Sequence, residues 1–148
     1  MSQASVARPV ATVHAQPPPP SGADATNVNP AAGISGAAFI AEHRIGRRAV
    51  ISVAGEIDIC TAPDLRAAIE TAAGRAFEIW VDLSETTFMD SSGLHAIAQA
   101  RTRLADANVR LALICPDGPV LRVLRLTGFD DMLEIHASRS EANYAARA

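Results

Sequence analysis

Residues 86–94 read Thr-Thr-Phe-Met-Asp-Ser-Ser-Gly-Leu. Two hydroxyls, Ser91 and Ser92, follow the carboxylate of Asp90 and precede Gly93. The apolar pair Phe88 and Met89 lies just before them. A helix beginning here leaves backbone N–H groups without intrahelical partners. Asp or Ser can cap them, and the positive pole of the helix tolerates added negative charge. Two chemistries fit this pattern. In one, Asp90 or Ser91 is a plain N-cap and Gly93 lets the helix pack closely on a sheet. In the other, a serine at the helix start is a phosphoacceptor. Phosphorylation adds about −1.5 to −2 charges. The helix start would accommodate them, but a partner surface shaped for a neutral hydroxyl would not.

Other chemistries lack their residues. There is no G-x-x-x-x-G-K-[ST] phosphate loop and no G-x-S-x-G nucleophile elbow. His14, His43, His95 and His136 are scattered, with no metal-binding spacing. Cys60 and Cys115 have no C-x-x-C partner and read as small hydrophobes, with Cys60 in a loop. No base–nucleophile pair is apparent, so the chain reads as a non-enzyme without cofactor or metal.

These residues need elements to hold them. Phe39 to Ile45 and Ala49 to Ala54 suggest two strands, the second ending at Gly55. Residues 62–73 predict a helix, with Thr61 as N-cap, Pro63 in the first turn and Gly74 past the end. Leu65, Ala68, Ile69 and Ala72 form its apolar stripe. Phe77 to Leu83 reads as a central strand, nearly continuous in apolar residues, with a loop from there to Asp90. Residues 92–106 predict a second helix, Val109 to Cys115 a fourth strand, and Pro119 to Leu126 a third helix. A short fifth strand follows at Leu133 to His136, and Glu141 to Ala148 is either a terminal helix or a frayed end. Strands separated by helices imply parallel pairing with right-handed crossovers.

Composition sets the outer bounds. The chain has 148 residues, which suits one domain with one core. Residues 1–36 hold six of the nine prolines, including Pro17–Pro20, and only two charges, Arg8 and Asp24. Such a segment buries too little apolar surface to offset its ordering entropy, so it is expected to be a disordered tail with a short polyproline II piece. The folded domain is then 37–148. A net charge of −3 argues against nucleic acid as a partner. No apolar stretch is long enough to span a membrane, and the N-terminus has no secretory h-region, so the chain reads as cytoplasmic. All 13 basic residues are Arg.

Two stretches together resemble a known family. Gly55-Glu-Ile-Asp-Ile-Cys-Thr-Ala-Pro-Asp-Leu65 and Val81-Asp-Leu-Ser-Glu-Thr-Thr-Phe-Met-Asp-Ser-Ser-Gly-Leu94 are similar to the two signature segments of STAS-domain anti-sigma factor antagonists. Leu126-Thr-Gly-Phe129 is a further likeness, and the resemblance covers about residues 38–138. It implies an α/β fold, a small four- or five-stranded mixed sheet with helices mainly on one face. It also implies partner switching. The unphosphorylated antagonist would bind an anti-sigma factor that is itself a serine kinase of the GHKL type, releasing a sigma factor. Phosphorylation would dissociate the pair, and a phosphatase would reset it. By this likeness Ser91 is the phosphoacceptor, with Asp58, Asp90, Ser92 and Gly93 shaping the loops around it. His95, Gln99 and Arg103, on the exposed side of the second helix, would contact the partner. The same fold also serves in scaffolds and as a soluble partner of transporter or lipid-transport complexes, which is the alternative role.

Overall fold

A computed structural model describes residues 25–28 and 38–147. In chain order the elements are β1 (Ala25–Val28), β2 (Ala38–Ile45), β3 (Arg48–Ile57), α1 (Ala62–Ala73), β4 (Glu78–Met89), α2 (Ser91–Asp106), β5 (Arg110–Ile114), α3 (Pro119–Leu126), β6 (Glu134–His136) and α4 (Arg139–Arg147). A short 3-10 turn, Phe129–Asp131, precedes β6. The strands lie in the sheet in chain order. The β1–β2 and β2–β3 pairs are antiparallel, and the other three are parallel. The five strands from β2 to β6 form the mixed sheet expected from the helix–strand alternation.

β1 is an addition. The sequence marks no element before residue 37, yet Ala25–Val28 pairs with Ala41–His43 on the open edge of β2. The rest of the Pro-rich segment, with Pro17–Pro20, lies outside the described residues.

The period-2 alternation of the strands divides the core into two faces. On one face Ile51, Val53, Ile79, Val81, Leu83 and Leu113 pack against α1, α2 and α3. Leu65, Ile69 and Ala72 of α1 and Ile97, Ala100 and Leu104 of α2 supply the helical side. These are the residues that the 3.6-residue period places on one stripe. The opposite face carries Val50, Trp80, Ala112 and Ile114, and among the described residues α4 covers it, through Ala142.

Two strands run longer than their apolar runs. β3 passes through Gly55, at φ +102°, and continues to Ile57. β4 continues through Ser84-Glu-Thr-Thr to Met89, where the sequence predicts a loop. The cause is pairing rather than propensity. Glu85 to Met89 stay in register with Ala54 to Ile57 across irregularities in the ladder. Thr86 also donates its hydroxyl to the Val53 carbonyl at 2.9 Å. At the head of α1, Thr61 stands in the N-cap position but makes no side-chain cap. Its hydroxyl is turned back to the Glu56 carbonyl instead, at 3.0 Å.

α4 is held by charge more than by apolar burial. Arg139 donates to the carboxylate of Asp82, which is buried, and to Ser52 Oγ at 2.8 Å. Its third nitrogen lies 3.3 Å from His43 Nε2. Removing the guanidinium leaves a buried carboxylate without its cation, and that is costly. Arg139→Ala is therefore expected to lower stability by about 2 kcal/mol, because the arginine itself is partly solvated. Trp80, the single tryptophan, is 2% exposed beneath α4, so its emission should shift to the red on unfolding. Urea unfolding followed by that fluorescence measures both.

Candidate functional site

The C-terminal ends of β3 and β4 carry the site. Their parallel pairing sets Ile57 opposite Met89. The next residue, Asp90, donates its N–H to the Ile57 carbonyl at 3.2 Å. The two signature loops, one around Asp58 and one around Ser91, are thereby neighbours.

Asp90 is the N-cap of α2. Its Oδ1 accepts from Ser92 N at 2.8 Å and, more weakly, from Gly93 N at 3.4 Å. A cap of this kind contributes about 1 kcal/mol. Ser91 is the first helical residue and is exposed, while Ser92 is half-buried. Gly93 is buried where the helix crosses the sheet. A Cβ there would lie 2.7 Å from Met89 Cγ and 2.8 Å from Ile57 Cγ2. Both structural expectations for this segment, a capping acid and a close approach at glycine, are met. Neither occupies the Ser91 hydroxyl.

Asp58 organises the second loop. Its Oδ1 accepts from Cys60 N at 2.9 Å and Thr61 N at 3.1 Å. That turn leaves the side chains of Ile59 and Cys60 exposed, and Ile59 is 73% exposed. Cys115, by contrast, is buried, and burial pushes its thiol up to about 11. The Asp82 carboxylate contributes to that rise, and Arg125 opposes both. A thiol so placed stays protonated at neutral pH and is a poor nucleophile.

A cleft of about 250 Å³ runs between α1 and α2, with Ser92, the neighbour of Ser91, in its lining. Ile59, Pro63, Arg66, Ser92, His95 and Gln99 line it. His95, Gln99 and Arg103 are spaced by four, so they share one side of α2. His95 is exposed. Gln99 Oε1 accepts from Arg66 Nη1 at 2.7 Å, and Arg103 Nη1 lies 3.3 Å from Glu70 Oε2. Two of these three side chains are thus tied to α1. Ile59 and Arg66 carry no motif signal; a large apolar residue in a polar turn is the only hint the chain offers of Ile59. Among the described residues, no cluster of His, Cys, Asp and Glu is placed to hold a metal. None of their helices is long and apolar enough to cross a membrane. The arrangement is suited to presenting a hydroxyl beside a binding cleft.

The chain has relatives among known proteins. The "Anti-sigma-B factor antagonist" of Listeria monocytogenes is 34% identical over 94 residues, covering 63% of this chain and 82% of that protein. The crystal structure of an anti-sigma factor antagonist from Mycobacterium paratuberculosis superposes with a TM-score of 0.69 at 27% identity, over 75% of this chain and 95% of that one. SpoIIAA, a Bacillus cell fate determinant, superposes in its phosphorylated form with a TM-score of 0.58 at 25% identity, over 72% of this chain and 98% of that one. The profile of the STAS domain matches residues 40–142, from β2 to α4 and through both signature loops. On that match, and on the mixed sheet that joins the two loops, the chain belongs to the STAS domain family.

Proposed function

We propose that this chain is an anti-sigma factor antagonist switched by phosphorylation of Ser91. In the unphosphorylated form it binds an anti-sigma factor that is also a serine kinase of the GHKL type, and so frees a sigma factor. Phosphate on Ser91 ends the binding, and a phosphatase restores it. The observation that carries this reading is the exposed Ser91 hydroxyl at the head of α2, beside the cleft formed by Ile59, His95 and Gln99. A kinase can reach that hydroxyl without unfolding the domain. Ser91 adjoins Ser92 of the cleft lining, so in this reading a partner seated on the cleft extends over Ser91, and a charge placed there falls inside the interface. The names of the relatives support the same role.

Phosphosite mapping tests it. Protein isolated from its native cells, in growth and under stress, is digested and analysed by mass spectrometry with a phosphatase-treated control. Phosphate on Ser91 whose occupancy follows the condition is the expected result. Full coverage of residues 76–101 without phosphate would overturn the switch and favour a scaffold or a transporter partner.

A further inference from the structure

The end of the sheet opposite Ser91 has a composition that a free surface does not need. There the β2–β3 turn, the start of β4 and the start of β5 meet. Phe77 N donates to the Arg47 carbonyl at 2.9 Å, and Arg110 N donates to the Phe77 carbonyl at 3.0 Å. Phe77 is 58% exposed, with the Arg47 guanidinium 3.6 Å from its ring centroid. Ile45, the last residue of β2 before that turn, is 51% exposed. Aromatic residues and arginine are the types enriched at the centres of protein interfaces.

Most of the charges at this end are paired. Arg48 and Arg110 are neutralised by Glu78 and Glu134, and Arg75 lies 3.7 Å from Glu42. Arg44 is different. It donates to the Arg75 carbonyl, and its Nη1 is buried without a hydrogen-bond partner, so the exposed unpaired cation of this turn is Arg47. Neither Arg44 nor Arg47 has a carboxylate partner among the described residues. Acid sits across the same end, with one guanidinium beside it: Arg101 donates to the Met132 carbonyl at 2.9 Å. β6 runs parallel to β5, so the turn that feeds it lies at the same end of the sheet. That turn carries the exposed Asp130, Asp131 and Met132, and neither aspartate has an ion pair among the described residues.

We propose that this end is a self-docking surface on which two copies of the chain pack about a two-fold axis. Such an axis sets the basic side of each copy, Arg47, on the acidic side of the other, Asp130 and Asp131. The contact is made twice and closes on itself, as an isologous interface must. Phe77, Ile45 and Met132 supply the apolar centre. The two Ser91 loops then point away from the interface, and both remain open to partners. One molecule becomes a bivalent antagonist.

Sedimentation velocity on the full chain, over micromolar to submillimolar concentration and in low and high salt, reads the assembly. The expected result is a dimer that weakens with salt. Arg47→Glu and Asp131→Arg should each weaken it by about tenfold or more through like-charge contacts. Both positions are exposed, and circular dichroism checks that each variant is folded. Mixing the two variants should restore a dimer. The carboxylate introduced at position 47 of one copy then faces the guanidinium introduced at position 131 of the other, while the second contact remains natural. A wild-type monomer at every concentration would overturn the proposal. So would a dimer that neither reversal weakens, or folded variants that fail to reassociate on mixing. Ser91→Asp should leave the dimer unchanged, which separates this surface from the phosphorylation site.

Discussion

Ser91→Asp lowers the affinity for the anti-sigma partner by about 100-fold, the equivalent of about 3 kcal/mol, if Ser91 lies inside the interface. A carboxylate placed where a neutral hydroxyl was accommodated must be desolvated without a cation opposite it, and burying an unpaired charge is costly. Ser91→Ala removes one hydroxyl and adds no charge, so it should bind like the unphosphorylated protein and resist the kinase. Calorimetry with the purified partner, with and without ATP, separates the cases. Wild-type protein should lose binding over time with ATP, Ser91→Ala should keep it, and Ser91→Asp should lack it from the start. Equal affinity of the wild type and Ser91→Asp would place Ser91 outside the interface. The pair is informative because the site is built without the Ser91 side chain: Asp90 makes the cap, and no hydrogen bond of the described residues uses the Ser91 hydroxyl.

Gly93→Val has the second large effect, and it acts on the fold. Any Cβ at residue 93 lies under 3 Å from both Met89 Cγ and Ile57 Cγ2. Ile57 is β-branched and buried and has little rotamer freedom, and Met89 is buried at the end of β4, so its side chain must repack within a filled core. Overpacking of this kind costs about 1–3 kcal/mol, and valine adds two further methyl groups. A loss of about 3 kcal/mol is expected from Gly93→Val, and a smaller one from Gly93→Ala. Thermal unfolding monitored by circular dichroism measures both. Because residue 93 joins α2 to the strands that position Ser91, partner binding should fall with stability in these variants.

Much of this architecture could be read along the chain, for a physical reason. α1, α2 and α3 each bury one stripe, and Leu65, Ile69, Ile97, Leu104 and Leu124 mark those stripes in the sequence. The central strands announce themselves by apolar runs. The Asp58 and Ser91 loops could be named as neighbours only through the family likeness, because nothing local to either says that Ile57 pairs with Met89. What escaped was tertiary. Ser84 to Thr87 is polar and has no apolar run, yet β3 holds it as a strand. Ala25–Val28 lacks any period of its own and is recruited by an open edge. The Arg139–Asp82 pair joins residues 57 apart in the chain, and neither residue stands out where it occurs. The cleft was half legible: His95 and Gln99 share a side of α2 by helical spacing, but Arg66 enters from another helix, and Arg103 on the same side lies outside the lining.

The cap at the head of α2 bears on what kind of switch this could be. A helix start exposes four amide donors. Here the N–H of Asp90 goes to Ile57, and those of Ser92 and Gly93 go to the Asp90 carboxylate. Only the amide of Ser91 is left among the described residues. The anion seat that a helix offers is therefore already taken, by a carboxylate built into the chain. A phosphate on Ser91 would find no vacant cradle to fold back into. It would stand in water as a second anion beside the first, and the two forms of the protein would share one shape. The message would then be carried by charge alone, and the partner would be the part that reads it.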